Sequence, residues 1–392
     1  MNRLRFMLIR GYSHSIWMDI RQLLEQLLIA DLSGRIPVVH WGSNSFYNGK
    51  IYTNAFDMYF EPVSNYAIED LMKPGYSFFP SVWQYDNLLM SDPGQVSLTE
   101  RSIGEMLESD ADVVVCDTYA NKMSALSLVG EDHPLYGMDT MHAYRFLMRK
   151  YLKLKPDLTN KIMKFFYSNS LHEGPILAVH VRENFSINAF EKNSINERYH
   201  GKVYKMKRQP EQNTNDTLKL HQIYRIHKVN KLETSNKVYH KEIQYMVGKF
   251  NIKKIFLLTD CTEILDEYRE RYGSMLVYTD ALRHSSNDVE DPYLETHMHR
   301  RQNGIDAILD AYIAAKCSFF IGNGYSNMSK AVTYLNDWAD TNIKLMYWVP
   351  ENSSLANYAV TNTIVYPDNK LVGKFKQIAY STHRTWKRLK DR

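Results

Sequence analysis

Short apolar runs alternate with amphipathic stretches along most of the chain, and the alternation predicts strands and helices in turn. Leu4 to Ile9 is an apolar run of strand length, with Gly11 just after it. Ile16, Ile20, Leu23, Leu24, Leu27 and Leu28 then recur three and four residues apart, the spacing of one helical face. Gly34 stands where that helix should end, in a left-handed conformation open to a residue without Cβ. Pro37 opens the next apolar run, Ile36 to Trp41, so the first forty residues read as a βαβ unit. Val113 to Cys116, after acidic Asp110 and Asp112, predicts a further buried strand.

A helical stretch from about Ala143 to Leu154, the breaker Pro156 and a second helix through Phe166 lead to His172, Glu173, Gly174 and Pro175. Those four residues mark the expected boundary between two halves. The alternation then resumes, with strands predicted at Ile176 to Val181, Ile255 to Thr259, Met275 to Tyr278, Phe319 to Ile321 and Ile343 to Trp348. All are short and rich in β-branched or aromatic residues, with helical or polar segments between them. This pattern predicts an α/β protein with parallel sheets covered by helices on both faces. The long segment from Glu183 to Lys253 interrupts it, and its polar portion, Gln209 to Thr217, reads as a loop. The expected organisation is a first domain over residues 1–172, a second over 173–350 and a C-terminal segment over 351–392.

Composition agrees with that division, because 392 residues, 44% hydrophobic and 23% charged, exceed what one core usually organises. No apolar run approaches the roughly 20 residues that cross a bilayer. The opening MNRLRFMLIRGYSH has too short an apolar stretch for a secretory signal, so a cytoplasmic protein is expected. Cys116, Cys261 and Cys317 are odd in number and each follows an apolar run, which fits buried thiols rather than a disulfide framework or zinc site. Charge is uneven. Glu197 to Lys241 holds eleven Lys and Arg against four Asp and Glu, and Lys370 to Arg392 holds eight against one. Each segment is therefore +7, and since the whole chain is +4, the remainder carries −10. The two basic segments suit phosphate-bearing partners or peripheral contact with a membrane, and equally serve as solvated surface. No nucleic-acid motif accompanies them, so nucleic acid is not an expected partner.

In a parallel sheet ligands bind beyond the carboxyl ends of the strands, which directs attention to the residues after each apolar run. After ILAVHV come Arg182 and Glu183, with His180 on the same side of the strand as Arg182. An arginine at such an edge grips a diphosphate with two prongs. After IFLLT comes Asp260, an acceptor suited to the donor groups of a purine edge or to a ribose hydroxyl. After FFIG come Asn323, Gly324, Tyr325, Ser326, Asn327, Met328 and Ser329, and then a helical stretch whose first N–H groups favour phosphate oxygens. The same residues have structural uses: Ser326 or Asn327 as a helix cap, Asp260 as a cap for Glu263 to Arg271, His180 as a buried ring bonded to backbone, Arg182 in a salt bridge. Gly304 to Lys316 presents Ile305, Ile308, Leu309, Tyr312 and Ile313 as a core face, with Asp306 and Asp310 one turn apart, and reads mostly as packing. His297 and His299 lack carboxylate or cysteine companions at a ligand spacing, so no metal is expected.

HVR at His180 to Arg182, IFLLTD ending at Asp260, and RRQNGIDAILDAYIAAKCSFFIGNGYSNMS from Arg300 to Ser329 together resemble one family. They look like the donor-binding half of the α1,6-fucosyltransferases and protein O-fucosyltransferases, including the bacterial nodulation fucosyltransferases. RGYSHSIWMDIRQLLEQLLIADLSGR and PVVHWGSNSFYNGKIYTNAFDMYFEPVS are similar to the first loop, helix and following segment of the same group, so the likeness touches both halves in order. The resemblance implies a GT-B fold of two Rossmann-like domains, GDP-fucose as donor substrate, a glycan or glycoconjugate acceptor, inversion at the sugar carbon, and no metal or other cofactor. It would place Arg182 on the β-phosphate, His180 and Asp260 toward guanine or ribose, and Asn323, Ser326, Asn327 and Ser329 with Gly11 and Tyr12 around the diphosphate. Glu191, Glu183 and Asp19 are the candidate bases for the acceptor hydroxyl. Two departures are visible: Glu183, Asn184 and Phe185 follow the arginine, and Tyr12, Ser13 and His14 stand where a second glycine is usual. They bear on donor sugar and acceptor more than on the phosphate site. A different nucleotide-sugar donor, or a silent nucleotide- or glycan-binding module, would use the same fold.

Overall fold

The computed structural model describes residues 4–12, 15–43, 45–48, 54–91, 102–117, 123–182, 239–284, 297–324 and 326–346. The first half runs β1 (Phe6–Arg10), α1 (Ile16–Ser33), β2 (Ile36–His40), α2 (Ile68–Leu71), β3 (Phe78–Phe79), α3 (Ile103–Glu108), β4 (Val113–Cys116), α4 (Thr140–Tyr151) and α5 (Pro156–Ser168). The second runs β5 (Ile176–His180), α6 (239–250), β6 (Lys254–Leu258), α7 (Thr262–Tyr272), β7 (Leu276–Val277), α8 (His297–Ala315), β8 (Phe319–Asn323), α9 (Asn327–Leu335) and β9 (Ile343–Met346). Two sheets result, ordered β2-β1-β4-β3 and β7-β6-β5-β8-β9, and every strand pair in them is parallel. The α/β reading of the sequence is the observed architecture.

Local chemistry explains the elements. Every residue of β1, β4, β5 and β8 is buried, as strands sandwiched between helices must be. Gly34 ends α1 at φ 61°, and the next N–H, Arg35, returns to Ala30 O at 3.0 Å. Arg35 itself is buried, its guanidinium bonding Ala111 O at 2.7 Å and so pinning the entry to β4. Asp112 completes that corner by accepting from Ser77 N at 2.8 Å and Ser77 Oγ at 2.9 Å. Pro156 occupies the first turn of α5, where a missing N–H costs nothing.

α8 begins at His297, seven residues before the Gly304 start that periodicity indicated, because its first turns are polar and carry no apolar stripe. β3 and α2, of two and four residues, had no sequence signal. The three cysteines are buried and none is in a disulfide, as expected. The basic C-terminal segment from Lys370 lies outside the described residues, as does most of the basic segment from Glu197.

The halves meet through helices. Trp17 Nε1 of α1 donates to Ala307 O of α8 at 3.1 Å, and Tyr59 Oη donates to Arg301 O at 3.3 Å. Arg145 Nε of α4 donates to Thr333 O of α9 at 3.0 Å. Gly304 lets α8 approach this closely: a Cβ there would stand 2.4 Å from Tyr59 Oη.

Candidate functional site

β5 enters the second sheet first; the chain then builds β6 and β7 on one side of it and β8 and β9 on the other. Loops leaving β5 and β8 therefore diverge, and the crevice between them is where α/β sheets take ligands. His180, Arg182, Asp260, Asn323, Ser326, Asn327 and Ser329 all stand at this carboxyl edge or in the first turn of the helix leaving it.

His180 ends β5 with its ring buried, and its Nδ1 lies 2.7 Å from Ser329 Oγ in the first turn of α9. Burial, with the Arg182 charge nearby, pushes its pKa down to about 3, so the ring is neutral. Its partner is a side chain 149 positions on, not the backbone that a lone buried histidine suggests. Gly322 makes the contact possible, since a Cβ there would lie 2.6 Å from both Ser329 Oγ and the Phe320 ring. The neutral ring thus fixes α9 against β5.

Arg182 stands two residues beyond. Its Nε is 3.4 Å from Asp260 Oδ2, and the two side chains are 28% and 40% exposed, so the pair sits at the surface of the crevice rather than inside the core. Asp260 does not cap α7: Cys261 holds the cap position, and its Sγ donates to Glu263 Oε2 in the first turn at 3.2 Å. The other carboxylate oxygen, Asp260 Oδ1, is buried with no hydrogen bond among the described residues. The side chain as a whole is 40% exposed, which leaves the carboxylate able to accept from a ligand N–H or O–H.

Across the crevice, Asn323 is buried and its carbonyl accepts from Ser326 N at 3.0 Å. Gly324 N donates to Met346 O at 2.8 Å, which ties the turn to β9. Ser326 is the N-cap of α9, its Oγ accepting from Met328 N at 3.2 Å, so the structural use of this serine is real. Asn327 opens the helix, half-buried, among the N–H groups that carry its positive end.

Asp310 on α8 belongs to the neighbourhood, although its spacing with Asp306 reads as packing. Its side chain is buried, accepts from Thr279 Oγ1 at 2.6 Å, and has its pKa pushed up to about 7 by burial. The loop after β7 links it to the strand edge: Arg283 Nη2 donates to Thr279 O at 2.9 Å, and His284 N donates to Asp260 O at 2.9 Å.

Gly11 and Tyr12 stand at the carboxyl edge of the other sheet. A Cβ on Gly11 would come 2.9 Å from the Trp41 ring, so packing alone demands glycine there. The Tyr12 phenol is buried with Gln22 and Gln26 as partners, and burial raises its pKa. At the same edge Arg10 stacks 4.4 Å over Trp83, whose Nε1 donates to Asp117 at 2.8 Å. The two edges adjoin, because α1 and α9 each begin at the edge of their own sheet and pack on one another, and burial there, with Arg21 nearby, lowers the Lys330 pKa. Asp19, in the first turn of α1, is 2% exposed. Glu183 and Glu191 lie outside the described residues. Among the described residues, no three His, Cys, Asp or Glu side chains are grouped to hold a metal ion, and no helix is long and apolar enough to cross a membrane.

No family model matches the sequence, and no curated protein matches it. Solved structures do. The NodZ α-1,6-fucosyltransferase soaked with GDP-fucose superposes with a TM-score of 0.54 at 18% identity, covering 90% of this chain and 97% of that one. The fucosyltransferase NodZ from Bradyrhizobium gives 0.52 at 18% identity, over 93% of this chain and 100% of that one. The agreement runs nearly end to end at an identity that speaks for architecture, and this chain has the two-sheet α/β fold of those fucosyltransferases.

Proposed function

We propose that the protein is a glycosyltransferase that takes fucose from GDP-fucose and places it on a hydroxyl of a glycan or glycoconjugate, with inversion and without a metal. The observation that carries this reading is Arg182, a partly exposed side chain beside Asp260 at the switch point of the second sheet. The likeness in fold to a structure soaked with GDP-fucose supports the choice of donor.

In this reading the diphosphate sits between Arg182 and the first turn of α9, where a guanidinium and free N–H groups meet it together. Asp260, part-exposed beside Arg182, takes the donor groups of the nucleoside. As the bond from the sugar carbon to the phosphate oxygen breaks, its electron pair passes to the β-phosphate and positive character grows on the sugar ring. Arg182 neutralises the phosphate, the role a metal ion fills elsewhere. The acceptor oxygen attacks the opposite face and gives its proton to a carboxylate. Glu191 and Glu183 are the bases proposed; Asp19, shut away from solvent, is the weaker candidate.

Thermal unfolding with GDP, UDP and GDP-fucose tests this directly. GDP and GDP-fucose should raise the midpoint of the natural protein, since a ligand that binds only the folded form stabilises it. Arg182→Ala should keep the same midpoint without ligand and lose both the GDP-dependent rise and sugar transfer. A natural protein indifferent to GDP, or an Arg182→Ala variant with unchanged GDP affinity and turnover, overturns the proposal.

A further inference from the structure

We infer that Tyr239 is a positioning residue for Arg182, holding the end of β5 from outside the sheet; the inference rests on Arg182 meeting the donor diphosphate. The Tyr239 side chain is 1% exposed, and its hydroxyl donates to the carbonyl of His180 at 3.1 Å. His180 is thereby gripped twice, at its main chain by Tyr239 and at its ring by Ser329. Val181 N donates to Leu258 O at 3.0 Å, and Arg182 follows, beyond the last residue of β5. The direction in which the guanidinium leaves the sheet is therefore set by how firmly His180 and Val181 are held.

Tyr239 can do this because α6 is itself fixed. His240, the next residue, has both ring nitrogens engaged on α7, Nδ1 with Tyr272 Oη at 2.8 Å and Nε2 with Glu267 Oε1 at 2.7 Å. On the other flank Glu242 pairs with Lys344 of β9. The phenol is thus carried by a helix tied to α7 on one side and to β9 on the other. A buried hydroxyl costs free energy unless it is bonded, and phenylalanine would fill the same space without that cost. What the hydroxyl adds here is a bond to the strand end that presents Arg182.

The test is a double-mutant cycle read in GDP affinity. Tyr239→Phe should weaken GDP binding by roughly two- to tenfold, the usual range for one hydrogen bond, with the unliganded thermal midpoint nearly unchanged. In an Arg182→Lys background, where a point charge leaves GDP binding weakened but measurable, the same substitution should have little further effect. Equal losses in both backgrounds would overturn the inference, because a purely structural role is indifferent to what stands at 182. Should Tyr239→Phe fail to fold, Glu267→Ala, which removes the partner of His240 Nε2 and so loosens α6 without touching the phenol, runs the same cycle with the same expectation. A natural protein that does not bind GDP sinks the proposed function and this inference together, whereas GDP binding with an additive cycle sinks the inference alone.

Discussion

His180, His40 and Asp310 are ionisable side chains held away from their usual protonation, and they make opposite demands as pH changes. Burial takes His180 to about 3 and His40 to about 4, below the value near 6.5 of an unfolded chain. The unfolded state therefore binds protons that the folded state refuses, so this contribution is complete above about pH 6.5 and is lost as pH falls toward 4 and then 3. Asp310 runs the other way. Its folded pKa of about 7 lies above the 3.8 of an ordinary aspartate, so its contribution is complete below about pH 3.8 and is lost as pH rises through 7. Asp310→Asn keeps an acceptor for Thr279 and removes that ionisation. Its midpoint relative to the natural protein should climb from pH 5 to about pH 7 and level off above that, measured by thermal unfolding from pH 5 to pH 8. A constant difference at every pH would show that Asp310 titrates like an ordinary carboxylate.

Two glycines in helices separate packing from propensity at the scale of the element. In α8, Gly304 would bring a Cβ to 2.4 Å from Tyr59 Oη and 3.0 Å from Tyr47, and both rings are buried. Alanine favours a helix over glycine by about 1 kcal/mol, but overpacking a fixed core costs about 1–3 kcal/mol, so Gly304→Ala should lower stability by about 1 kcal/mol. In α6, Gly248 is exposed, with nothing within 4 Å of such a Cβ, and Gly248→Ala should raise stability by about 0.5–1 kcal/mol. Denaturant midpoints that moved in the same direction for both would refute the close approach of α8 to the first half. The contrast also shows what the sequence could express. Gly34 was legible because a helix end is local chemistry, and β1, β4, β5, β6 and β8 were legible because a strand covered on both faces must be apolar throughout. Gly304 and Gly248 look alike in one dimension, and so do a capping Ser326 and a Ser329 bonded to His180, because the partners lie in distant segments. Arg182, Asp260 and the α9 turn could be singled out from the rule that ligands gather beyond strand ends. The burial of Asp310 could not, since it depends on Thr279 and on the loop after β7.

Across the whole molecule the two sheets do not keep separate cores. Met7 and Ile9 of the first sheet belong to one continuous buried cluster with Ile176, Ala178 and Phe256 of the second. The helices between them carry the connection: Tyr144 of α4 stacks on Tyr334 of α9 at 4.8 Å, and Trp17 of α1 lies 6.4 Å from the Tyr312 ring of α8. Chains of this length commonly unfold domain by domain, because contacts between domains are few and polar. Here an apolar core runs through the junction, so exposing either half strips the other of buried surface and raises the cost of any half-folded state. Scanning calorimetry should therefore give one endotherm, with calorimetric and van't Hoff enthalpies in agreement. Under the proposed function GDP should move that endotherm as a unit, although the diphosphate touches chiefly the second sheet's edge. Two resolved endotherms, with only one of them responding to GDP, would mean that the shared core does not couple the halves and that the donor site folds independently of the first sheet.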